Sequence, residues 1–114
     1  METMKLMSPA KSKQWVEAAS FEDFENTDRK MVDLGGHTQI GLFKLDDGYF
    51  AISAWCSHQK TSLVHGDIED HQIMCPLHGA RFDLKTGRAL SLPAVKPVAC
   101  YPVKVDGDKI FVKA

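Results

Sequence analysis

Near the C-terminus, Tyr101, Val103 and Val105 alternate with Pro102 and Lys104, and apolar positions resume at Ile110 and Val112 after Asp106-Gly107-Asp108. Successive strand side chains point to opposite faces. A two-residue period around an Asp-Gly turn therefore predicts an antiparallel hairpin with one buried face. Similar text lies upstream. Ile40, Leu42, Phe43 and Leu45 fill residues 38–45, Asp46-Asp47-Gly48 reads as a hairpin turn, and Tyr49, Phe50, Ile52 and Trp55 supply the partner strand. Trp15 and Val16 open a first strand, and residues 21–25 fit one short helical turn or an ordered loop. Met31, Val32 and Leu34 run into a Gly35-Gly36 turn. Gln72-Ile73-Met74 and Arg81-Phe82-Asp83-Leu84 are further short stretches, the second followed by a Lys85-Thr86-Gly87-Arg88 turn. No long segment repeats every 3.6 residues. Many short strands between close turns predict an all-β fold, an antiparallel sandwich or small barrel.

Length narrows this to one domain, residues 1–114, with the Met-rich stretch 1–13 expected to be a flexible leader. The chain has 14 Lys and Arg against 15 Asp and Glu, so no bulk field favours nucleic acid or an anionic membrane. No apolar run approaches the roughly 18 residues of a membrane span, and Met1 to Met7 lack a signal-peptide core. A cytoplasmic location is expected. The three cysteines are an odd number, which argues against a secreted disulfide framework and for metal or catalytic chemistry in a reducing compartment.

Residues 55–94 interrupt the strand pattern with polar, Gly and Pro residues, and the candidate chemistry lies there. Cys56-Ser57-His58 is followed, after sixteen intervening residues, by Cys75-Pro76-Leu77-His78. Two loops each offering one thiolate and one imidazole can converge four ligands on one point. Cys₂His₂ zinc fingers usually keep their cysteines together and their histidines together. A two-iron cluster accepts the mixed order, with both thiolates on one iron and both imidazoles on the other. A structural zinc site remains a second possibility at this level. No nucleophilic triad, phosphate-cradling glycine loop or basic-aromatic stripe is present, so neither catalysis on a bound substrate nor nucleic-acid binding has support.

The C-x-H and C-x-x-H-G pairs at Cys56, His58, Cys75, His78 and Gly79 resemble the Rieske [2Fe–2S] family. The likeness extends through Arg81-Phe82-Asp83, Thr86-Gly87-Arg88 and Tyr101-Pro102-Val103-Lys104-Val105, segments similar to ferredoxins of bacterial aromatic-ring-hydroxylating dioxygenases such as the naphthalene and biphenyl systems. The resemblance implies a Rieske-like antiparallel fold with a cluster-binding subdomain inserted at residues 55–84. It implies one [2Fe–2S] cluster per chain, held by Cys56, His58, Cys75 and His78. The implied function is that of a soluble, monomeric one-electron carrier that binds no organic substrate and is not itself an enzyme. Its partners would be a flavin-dependent NAD(P)H ferredoxin reductase and the terminal Rieske oxygenase of aromatic hydrocarbon catabolism. The alternative is the small Rieske-like subunit of an assimilatory nitrite reductase.

Respiratory Rieske proteins have an extra cysteine in each cluster loop and a membrane anchor. Here Lys60, Thr61 and Leu77 follow the ligands, and Cys100 lies far along the chain. High-potential members carry serine and tyrosine hydroxyls that donate to the cluster sulfurs. The aligned positions here are Ala80 and Phe82, which predicts a potential near the low end of the family range. Gly79 is expected at positive φ. Gln59, Lys60, Pro76, Leu77 and Leu92-Pro93-Ala94 are expected around the histidine edge as a docking rim, and Trp55, directly before a ligand, is read as a core or rim residue or as a shield for the cluster. His37, His65 and His71 are expected to be solvated and Cys100 to be a buried or half-buried thiol. Trp15 and Tyr101 are read as core or rim residues, and residues 21–28 as a solvated acidic face.

Overall fold

In a computed structural model, residues 14–36, 38–57, 61–76, 79–91 and 96–114 are described. Strands β1 (Trp15–Ser20), β2 (Arg29–Asp33), β3 (Gln39–Leu45), β4 (Gly48–Ser53) and β5 (Asp67–Glu69) are followed by β6 (Gln72–Met74), β7 (Arg81–Asp83), β8 (Cys100–Tyr101), β9 (Val103–Asp106) and β10 (Lys109–Lys113). They form three antiparallel sheets, ordered β1-β10-β9, β2-β3-β4-β8 and β5-β6-β7. Two short 3-10 helices, Phe21–Phe24 and Leu63–His65, complete the described elements.

The two-residue period decides how the layers stack. On β3 and β4, Ile40, Leu42 and Ala51 face one way and join Ala18, Ala19, Phe24, Ile110 and Val112 in one buried cluster. Phe43 and Ile52 face the other way and join Leu63, Ile73, Phe82, Leu84 and Val98 in a second. The β2-β3-β4-β8 sheet therefore serves both cores and forms the middle layer. Leu45 pairs with Gly48, so the expected β3–β4 turn is a two-residue connection through Asp46 and Asp47.

Two expectations about the C-terminal strands require correction. The alternating stretch from Tyr101 to Val105 is not one strand: β8 pairs with β4, whereas β9 crosses to pair with β10. Pro102 lies at the crossing. It has no N–H to offer a ladder, and its carbonyl accepts from Lys113 N–H at 3.0 Å. Nor is Val105 buried. It is 47% exposed because β9 is an edge strand, while Ile110 and Val112 on central β10 are fully buried.

The short 3-10 helix after β1 matches the helical-turn reading. Ser20 N–H donates to the Asp23 carboxylate at 2.9 Å, and Phe24 is buried with its ring edge-on to Tyr49. Its acidic residues stay exposed, as expected, with Asp23 paired to Lys30 at 3.1 Å.

His71 is not simply solvated, because its Nε2 lies 2.9 and 3.0 Å from the two Asp47 oxygens. This contact joins the β5–β6 turn to the β3–β4 turn. The hydrogen bond to His71 holds the Asp47 carboxyl below the usual carboxylate range. A depressed carboxyl pKa stabilises the fold above its unfolded value and loses that contribution as pH falls through the folded value. Acid titration below about pH 4 should therefore open this junction in the wild-type chain. In Asp47→Asn that acid step should be missing, read by amide exchange at residues 70–72.

Candidate cluster site

Each of the two candidate-ligand cysteines opens a loop closed by its own backbone. Cys56 N–H donates to Thr61 O at 2.9 Å, and Cys75 N–H donates to Ala80 O at 2.7 Å. Both bonds span five positions, so the two loops are closed at the same length. Beyond the first, Trp55 and Ser62 form an isolated bridge. In the second, Gly79 has φ +76° as expected, and its N–H donates to Cys75 O at 3.0 Å. A side chain would be strained there.

The folding that creates these loops also buries their cysteines. Cys56 is 5% exposed and Cys75 is 1% exposed, and both belong to the core that contains Phe43, Ile52, Leu63, Ile73 and Phe82. Ala80 and Phe82 are fully buried in the same core. The described half of the candidate ligand set is therefore two thiols brought from loops nineteen positions apart into one apolar cluster. His58 and His78 lie outside the described residues, as do His37, Gln59, Lys60, Leu77 and residues 92–94. Pro76 is described and exposed. Trp55 is 41% exposed, and its Nε1–H donates to Gln39 Oε1 at 2.8 Å.

Two further residues support the first loop. Arg29 on β2 donates through Nη1 to Val64 O at 3.0 Å and to Gly66 O, and through Nε to Asp28 at 2.8 Å. It thereby holds the chain just after the loop against the middle sheet. Ser57 Oγ donates to Lys96 O at 2.5 Å. Local sequence patterns gave no signal for the Arg29 contact, whose partners are 35 and 37 positions away. Ser57 had one weak signal, its place between two candidate ligands.

Cys100 lies apart from this site and is exposed rather than half-buried. It sits on short β8 near the sheet edge, where its thiol donates to Lys85 O at 3.2 Å. Partial desolvation, with the Asp83 charge adding to it, raises its pKa. That disfavours the thiolate needed for a metal ligand.

These features define a class. The Rieske [2Fe–2S] domain profile matches residues 14–102, and the chain belongs to that family. Among curated relatives, the 3-phenylpropionate/cinnamic acid dioxygenase ferredoxin subunit of Escherichia coli K12 is 47% identical over 74 residues, covering 64% of this chain and 70% of that protein. Among solved structures, the ferredoxin of carbazole 1,9a-dioxygenase from Nocardioides aromaticivorans IC177 superposes with a TM-score of 0.80 at 35% identity, covering 87% of this chain and 96% of that one. A putative NADH-dependent nitrite reductase small subunit from Mycobacterium tuberculosis gives 0.78 at 25% identity, covering 90% and 96%. Among the described residues, no helix is long and apolar enough to cross a membrane.

Proposed function

We propose that this chain is a cytoplasmic one-electron carrier between a flavin-dependent NAD(P)H ferredoxin reductase and the terminal oxygenase of an aromatic-ring dioxygenase system. The observation that carries the reading is the convergence of buried Cys56 and Cys75, from two loops of matched closure, in one apolar core. Two buried thiols with imidazoles two and three positions onward are the donor set of a mixed-ligand [2Fe–2S] cluster, and they fit it. Cys56 and Cys75 would hold the inner iron, His58 and His78 the outer one. When bound, the cluster takes up and returns a single electron. The chain's own residues do the rest: the core excludes water from the thiolate side, the two loop-closing hydrogen bonds fix the cysteine backbones, and Arg29 holds the chain after the first loop. Residues 55–84 act as the cluster-binding subdomain of a single monomeric domain.

The dioxygenase ferredoxins named above favour this reading through their higher identity. The nitrite reductase subunit shares the fold at lower identity. With NADH and a flavoprotein ferredoxin reductase the holoprotein should bleach under anaerobic conditions, and an aromatic-ring dioxygenase with its substrate should, once O2 is admitted, reoxidise it faster than O2 alone does. Failure of both steps, or recovery from native extract only within a large sirohaem-containing flavoprotein, would instead support the nitrite reductase reading.

Ala80 and Phe82 refine the expectation. Neither side chain has a hydroxyl to donate, and both are fully buried. Without such donors the added negative charge is less stabilised, so the potential should lie near the low end of the range, about −150 mV. A measured value above about +100 mV, in the upper part of that range, would refute the assignment of Ala80 and Phe82.

A further inference from the structure

We propose that Ser57 is a positioning residue that holds the first cluster loop by tying it to a distant backbone carbonyl; the inference rests on the cluster reading above. Cys56 is fixed by its N–H bond to Thr61 O, but the chain then leaves the core through Ser57, which is exposed. Its hydroxyl donates to Lys96 O, 39 positions away, at 2.5 Å, the short end of the range for O–H···O bonds. The acceptor is itself anchored. Two residues on, Val98 is buried and its N–H donates to Gly87 O at 2.8 Å, and Ala99 O accepts from Ser53 N–H at 2.8 Å.

The hydroxyl therefore links the main chain directly after one candidate ligand, and directly before His58 in sequence, to a segment pinned to both the β7 turn and β4. A residue outside the ligand set can still govern how firmly the cluster is held, because outer-shell partners orient the ligands. Their loss typically costs about 10- to 100-fold in metal affinity. Alanine removes the hydroxyl and little else. Threonine retains it on the same carbon.

The test compares wild type, Ser57→Ala and Ser57→Thr as purified holoproteins. Iron and acid-labile sulfide are measured first, and a wild type lacking both would refute the cluster reading itself. With the cluster present, Ser57→Ala should lose it to a chelator about tenfold faster than wild type, the low end of outer-shell effects. Its reduced-state EPR lines should also broaden. Ser57→Thr should match wild type in both measurements, and the thermal unfolding of the three metal-free chains should coincide. An alanine variant with wild-type loss rate and linewidth would overturn the proposal. So would a threonine variant that behaves like alanine, or a metal-free alanine chain destabilised enough to explain the faster loss.

Discussion

Protein carrying Cys75→Ala should be colourless, with iron and acid-labile sulfide near zero, while Cys100→Ala should retain the full complement of a two-iron, two-sulfide cluster. The contrast follows from where the two thiols sit. Cys75 is 1% exposed, shares a core with Cys56 and begins a loop closed by its own N–H. Cys100 is exposed and bonded to Lys85 O, and its raised pKa works against ligation. Alanine cannot supply the thiolate charge that an iron needs, and no described group replaces it within that apolar core. The substitution should nevertheless leave the metal-free chain folded, since it deletes one sulfur atom and places no polar group inside. Far-UV circular dichroism of the metal-free variant should therefore overlay that of the metal-free wild type. Full iron and sulfide retention in Cys75→Ala, or their loss in Cys100→Ala, would refute the ligand assignment.

The parts of the molecule written locally were legible before the structure. The β3–β4 hairpin could be read from alternating residues around Asp46 and Asp47, because a strand's faces and its turn are both set by neighbours in sequence. The interleaved order of Cys56, His58, Cys75 and His78 was likewise a matter of short spacing. Elements that depend on what comes to lie alongside were not legible. Strand β5 has only Ile68 as an apolar residue, and its turn uses Asp70 and His71 at φ +56° and +65°, positions at which no glycine advertises a turn. The exposure of Val105 follows from β9 being an edge strand, which the alternation cannot reveal. The contacts of Arg29, Ser57 and His71 span 24 to 39 positions and exist only after the sheets have packed.

A large stability effect should come from another such contact. Gly87→Ala should lower the unfolding free energy of the chain by about 2–5 kcal/mol, combining backbone strain with overpacking. Gly87 has φ +80°, and a Cβ built on it would lie 2.1 Å from Val98 O and 3.4 Å from Cys100 Cβ. The nearer atom is backbone, so no side-chain rotation relieves the clash. Moving either segment would break the bond from Val98 N–H to Gly87 O, and with it the packing of buried Val98 against the core around Cys56 and Cys75. Gly107→Ala provides the control. Its φ is +65°, with nothing within 4 Å of the added carbon, so only strain of about 1–2 kcal/mol should appear. Urea titration of the two variants against wild type separates the contributions. Equal losses in both would mean that Gly87 is required for its φ alone and that the approach of Val98 can relax. A larger loss at Gly87 identifies the β7 turn as a backbone contact that holds Val98 and, two residues before it, the Lys96 carbonyl that accepts from Ser57.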